Sequence, residues 1–192
     1  FMWPASFWEK YEFFIRHSAG LGKSPTKDDP HKYEHFHYHC DLLVVGSGIS
    51  GLYTAEIAAK NNLKVLLIEQ ENEFGGEILS SHTDNIKINK IPINDWKNNI
   101  ISNLKSFSNV KIISNTTCFA YFHYNLLHAI QDLEPEKGKT KTHEIRQRIW
   151  KIRSKKVALA TGAIERPIIF NNNDRPGIML TNSARKYLNK YG

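Results

Sequence analysis

The hexapeptide Gly46-Ser47-Gly48-Ile49-Ser50-Gly51 constrains this chain more than any other feature, because its G-x-G-x-x-G spacing falls between a strand signal and a helix signal. Before it, Asp41-Leu42-Leu43-Val44-Val45 is a short apolar run rich in branched residues. Such a run suits a strand buried on both faces of a parallel sheet. After it, residues 50–60 predict a helix with Leu52, Ala55 and Ala59 on one side, stopped at Asn61-Asn62. Residues 64–69 form a second buried strand, completing a β-α-β unit. Each glycine then has its own physical role. Gly46 allows the tight turn, Gly48 allows close approach of backbone to a pyrophosphate, and Gly51 allows helix–strand packing. Free N–H groups at the helix N-terminus, around Ser47, Ile49 and Ser50, face the anion. Glu69, 23 positions after Gly46, ends the second strand with Gln70 beside it. A carboxylate there accepts both hydrogen bonds of an adenosine ribose and repels a 2′-phosphate, which favours NAD, or alternatively FAD, over NADP.

Further along, Phe74-Gly75-Gly76 is a loop whose glycine pair brings the chain close to a dinucleotide. Asn94 is placed to cap a helix running to about Phe107, with Trp96, Ile100, Ile101 and Leu104 on its buried face. Strands are expected at 110–114 and 116–122, a polar hairpin or loop at 134–142, loose alternation at 148–153, and a buried strand at 157–160. That last strand runs into Thr161-Gly162, small residues that suit a backbone crossing near the pyrophosphate. The predicted fold is α/β: an FAD/NAD(P)-binding Rossmann-like domain with a parallel sheet and a small antiparallel insertion near 116–153. Two segments are expected. Residues 1–39 are an aromatic-rich leader (Trp3, Phe7, Trp8, Phe13, Phe14), with a short helix at 9–17 and a loop at 24–32, packing on the domain or on a partner. Residues 40–192 are the binding domain, expected to be incomplete at its C-terminus.

The net charge of +7 is scattered among Asn and Ile rather than gathered in a block, so no nucleic-acid partner is expected. Cys40 and Cys118 are the only cysteines, which excludes a disulfide framework or a four-cysteine zinc site and suits a cytoplasmic setting. The uncharged run 42–55 is too short and too glycine-rich to span a bilayer, so no membrane association is expected. His35, His37 and His39 alternate beside Cys40, but no further ligand has convincing spacing, and no metal site is expected. Cys118 lies in an apolar strand without a base. No catalytic residue is identifiable.

Longer stretches carry a resemblance. Residues 29–35 and 39–46, the block Ala160-Thr161-Gly162-Ala163-Ile164-Glu165-Arg166-Pro167 continuing to Leu180, and the ending from Ala184 resemble the α-subunit family of heterotetrameric sarcosine oxidase. The resemblance departs at Ile49-Ser50, where the family has Pro-Ala. It implies a subunit that holds NAD at Gly46, Gly48, Gly51 and Glu69, with Gly75, Gly76, Thr161 and Gly162 on supporting loops. It further implies a β subunit and smaller subunits as partners, and FAD and FMN in the wider complex. The reaction implied is oxidative demethylation of sarcosine to glycine, with transfer of the one-carbon unit to tetrahydrofolate through a downstream region. On this basis the 192 residues are expected to be a piece that is not catalytically competent alone. The alternatives are an opine oxidase or dye-linked amino-acid dehydrogenase α subunit, or a non-redox nucleotide-binding scaffold.

Overall fold

The computed structural model describes residues 4–22, 27–29, 31–81, 85–133 and 145–192. The chain divides into two compact units, Phe1–His31 and Lys32–Gly192. In the first, a 3-10 turn (Ala5–Phe7) leads into helix α1 (Trp8–Ser18), close to the expected 9–17. Glu12 and Arg16, one turn apart, form an ion pair, and Gly20 and Gly22 take positive φ where the helix ends. Trp3 and much of the expected loop (residues 24–26 and Pro30) lie outside the described residues.

The second unit begins earlier than the expected boundary at residue 39. Strand β1 (Lys32–Val45) is 14 residues long, so the alternating histidines belong to it. Helix α2 (Ile49–Lys60) and strand β2 (Val65–Ile68) complete the β-α-β unit. A small hairpin follows, β3 (Lys87–Ile88) and β4 (Ile91–Pro92), turned by Asn89 and Lys90 at positive φ. Helix α3 (Ile93–Ser106) starts directly from it. The expected cap at Asn94 is therefore wrong. Pro92 holds the cap position and the Ile93 N–H donates to Ile86 O at 3.0 Å, so Asn94 lies inside the first turn. Strands β5 (Val110–Ile113), β6 (Thr116–Phe122), β7 (Leu126–Asp132) and β8 (Ile145–Leu159) follow, then helix α4 (Thr181–Lys190). The stretches 148–153 and 157–160, read separately in the sequence, belong to one strand that ends at Leu159, one residue short of the expected end. The expected hairpin at 134–142 lies outside the described residues.

The six-stranded sheet has the order β5-β2-β1-β8-β7-β6. β5, β2, β1 and β8 are parallel, and β8, β7 and β6 are antiparallel, which is the expected insertion. β5 and β6 lie at opposite edges, yet only Ser114 and Asn115 separate them in sequence. The sheet must curl to allow this. Asn115 turns at φ 50°, and the N–H groups of Asn115 and Thr116 bond to the carbonyls of Glu71 (3.0 Å) and Glu69 (2.8 Å). The concave side buries Leu43, Leu66, Ile68, Leu127, Trp150 and Ile152. The convex side buries Val44, Val65 and Leu67 under α2 and α3, through Leu52, Ala55, Ile100 and Leu104, with Trp96 and Ile101 packed at the margin. Each fully buried Leu or Ile contributes about 1.5–3 kcal/mol.

The side-chain alternation changes phase once. Phe36, Tyr38 and Cys40 point to the concave core, as do Leu43 and Val45. Odd positions thus replace even ones between Cys40 and Leu43. β8 does the same, with Trp150 and Ile152 inward and then Val157. At this step Asp41 Oδ1 meets Lys155 Nζ at 2.7 Å, and the N–H groups of Asp41 and Leu42 share the Lys64 carbonyl. β1 and β8 change phase together, so their pairing runs in step from Cys40–Ser154 to Leu42–Lys156.

Candidate functional site

The expected site residues gather at the C-terminal ends of β1, β2 and β8. The Gly46 N–H donates to Ile68 O and the Ala160 N–H to Val45 O, both at 2.8 Å, so the glycine turn lies between the ends of its two neighbours. Gly46 has φ 98°, and a side-chain carbon there would overlap the Ala160 carbonyl. At Gly51 the same carbon would overlap the Gly46 carbonyl and press on the Ala160 Cβ. These two glycines are therefore required by packing. Gly48 differs: a carbon there would meet nothing within 4 Å. Its lack of a side chain serves whatever enters that space. Gly76, at φ 54°, abuts it, since a carbon on Gly76 would lie 3.0 Å from Gly48 Cα. The two glycine loops thus meet at Gly48. Ile49 and Ser50 are exposed on the first turn of α2, and Gln70 is exposed beside Glu69. Thr161 and Gly162 are exposed where β8 leaves the sheet, and Gly162 has φ 72° with open space around it.

Glu69 is buried, and its carboxylate is already engaged. Oε2 accepts from the Ser47 N–H (2.8 Å) and the Ser47 hydroxyl (2.6 Å), and Oε1 accepts from the Glu71 N–H (3.1 Å). A carboxylate offers about four lone-pair positions. One remains, on Oε1, so in this arrangement Glu69 has room for one ribose hydroxyl rather than the two expected. Ser47, fully buried, also accepts the Gly75 N–H at 3.1 Å. One hydroxyl therefore ties together the first glycine loop, the strand-end acid and the second glycine loop. The sequence places Ser47 in the motif but gives no sign of this role, which depends on the 74–76 loop folding back.

Helix α4 is a further element that the motif does not reveal. Its Arg185 donates to Ser81 Oγ (2.6 Å), Asn189 to Ser80 O (2.9 Å), and Lys186 pairs with Glu71 at 3.1 Å. The Glu71 carboxylate holds the Lys186 ammonium above the usual lysine range. Because the Glu71 N–H binds Glu69, α4 braces the acid's supporting loop. At the other end of the strands, burial pushes the Cys40 thiol up to about 11 and raises that of Cys118, so neither is a poised nucleophile. Among the described residues no group of three or more His, Cys, Asp or Glu is placed to hold a metal ion, and no helix is long and apolar enough to cross a membrane.

The NAD(P)-binding Rossmann-like domain family matches residues 44–107, the span from the end of β1 through α3. Over 100% of its length the chain is 40% identical to sarcosine oxidase subunit alpha of Rhizobium meliloti (strain 1021), of which it spans 19%. It is 38% identical over 91% of its length to the subunit of the same name from Corynebacterium sp. (strain U-96), of which it spans 18%. Among solved structures, L-proline dehydrogenase from P. horikoshii superposes with a TM-score of 0.63 over 83% of this chain and 30% of that one. At 24% identity this is a likeness of fold. The chain belongs to the sarcosine oxidase subunit alpha family and forms an NAD(P)-binding Rossmann-like region of it.

Proposed function

We propose that this chain is the NAD-holding portion of an oxidoreductase subunit, in a complex that oxidatively demethylates sarcosine to glycine and passes the one-carbon unit to tetrahydrofolate. The observation that carries the reading is the cradle at Gly48, joined to similarity over the whole of this chain with sarcosine oxidase subunit alpha, of which it spans 19%. The first backbone bond of α2 runs from Leu52 N–H to Gly48 O at 2.9 Å. The N–H groups of Ile49, Ser50 and Gly51 therefore have no acceptor within the helix and are available to a pyrophosphate. Gly48 and Gly76 let the backbone come close to it, Glu69 Oε1 takes a ribose hydroxyl, and Thr161 and Gly162 border the far side. The buried carboxylate disfavours a 2′-phosphate, which supports NAD, with FAD as the second fit, over NADP. When bound, a nicotinamide supplies a hydride-exchanging ring; the residues here bind and orient the dinucleotide. The partners are the β and smaller subunits of a hetero-oligomeric oxidase with its own FAD and FMN, in the cytoplasm.

The test uses the assembled oxidase. Sarcosine should yield glycine and consume oxygen, and tetrahydrofolate should capture the one-carbon unit. Opines or proline turning over in preference to sarcosine would overturn the substrate assignment while leaving nucleotide binding intact.

A further inference from the structure

The described residues of this unit cover the convex side of the sheet over only part of its area. Above the Asp41–Lys155 step, α2 and α3 cover it. Below the step, residues that alternate with the half-buried Phe36 and Tyr38 and the buried Leu127, Ala129, Trp150 and Ile152 point outward. Strand register arranges them in rows: His35–Ile149–Ile130, then His37–Lys151–His128, then His39–Arg153–Leu126. The three β1 histidines and Arg153 are exposed. Beyond β7, Phe122 stacks edge-on against His128 at 4.9 Å and Phe119 lies 6.1 Å from it. These rings are 48% and 57% exposed, and no described element of this unit covers them.

Two fixed cations and four imidazoles thus share one face. Carboxylates of the described residues stand only at its ends, and both are engaged: Asp41 by Lys155, and Asp132 by the Gln147 amide at 2.7 Å. Lys151 and Arg153 stand two positions apart on β8, and their cross-strand partners His37, His128, His39 and Leu126 supply no carboxylate. These rows lie at 35–39 of β1 and 149–153 of β8, away from the C-terminal strand ends that carry the glycine turn, so this is a separate surface. We propose that it docks an acidic surface of another protein. Carboxylates of the partner would meet Lys151, Arg153 and the imidazole N–H groups, while Phe119, Phe122, Ile149 and Ile130 take the partner's apolar atoms. Aromatic and arginine anchors amid aliphatic area suit a protein interface. A phosphate polyanion draws its affinity from many fixed cations, and this face has two.

The test is fluorescence anisotropy of labelled poly-L-glutamate titrated with the intact protein at low salt, with oligothymidylate as the competing probe. Poly-L-glutamate should bind, and Lys151→Gln with Arg153→Gln should weaken it at least about tenfold, one decade of affinity. Lys151→Gln alone, which spares the Arg153 bond to the Tyr124 carbonyl, should show a smaller loss in the same direction. NAD binding and the near-ultraviolet circular dichroism of both variants should match the parent. No binding of poly-L-glutamate, equal binding by the double variant, or tighter binding of oligothymidylate would each overturn the proposal.

Discussion

Replacing Ser47 with Ala probes the joint on which both glycine loops depend. The Ser47 hydroxyl donates to Glu69 Oε2 at 2.6 Å and accepts the Gly75 N–H at 3.1 Å, and the residue is fully buried. A hydrogen bond to a charged group contributes about 1.5–3 kcal/mol, and an orphaned buried N–H costs about 1–3 kcal/mol. The two losses overlap, because Glu69 keeps the Ser47 and Glu71 N–H groups. A net destabilisation of about 2–4 kcal/mol is expected. For a chain of this size that lowers the melting temperature by roughly 5–15 °C. Urea denaturation followed by tryptophan fluorescence measures it directly, and Ser47→Thr, which keeps the hydroxyl, should recover part of the loss. A change below about 0.5 kcal/mol would refute the assignment of Ser47 as a structural joint, since that is the range of an ordinary surface substitution.

The glycines of the motif should separate by role. Gly51→Ala drives a carbon into the Gly46 carbonyl and should cost about 1–3 kcal/mol. Gly48→Ala enters open space and should cost under about 1 kcal/mol of stability, yet weaken dinucleotide binding at least about tenfold by calorimetry. Asp41 is held below the ordinary carboxylate range, chiefly by its bond with Lys155. Its stabilisation is therefore present above the unfolded value of about 3.9 and is lost as the pH falls through the lower folded value. Asp41→Asn should flatten that acid limb in urea midpoints compared at about pH 3 and pH 7. Cys40, buried with its thiol pushed up to about 11, should resist a disulfide reagent near neutral pH until the protein is unfolded, with Cys118 reacting sooner.

The β-α-β unit was legible because local signals agree there: branched apolar runs, glycine spacing and an acid at a strand end. The packing demands on Gly46 and Gly51 follow from the same spacing. What the sequence hid depends on distant partners. The N-terminal half of β1 reads as a leader because its outward face carries His35, His37 and His39 rather than an apolar run, and its inward face is sealed by Trp150 from the far end of the chain. Residues 148–159 read as two pieces because the inward positions change phase between Ile152 and Val157 in the middle of one strand. Pro92 displaced Asn94 as the cap of α3 because a four-residue turn, with Asn89 and Lys90 at positive φ, delivers the chain already extended. The bracing of Glu71 by α4 spans 115 positions in sequence, and no local pattern announces it.

That Gly48 opens a cradle for an adenine dinucleotide is tested most directly by calorimetric titration of the protein with NAD, FAD and NADP, alongside Gly48→Trp. The proposed function predicts tight NAD binding, weak NADP binding, and loss of both in the variant, whose indole fills the space beside Gly76. Tight FAD binding in place of NAD would move the assignment to a flavin. A folded protein that binds none of the three, or a Gly48→Trp variant that binds NAD as well as the parent, would contradict it.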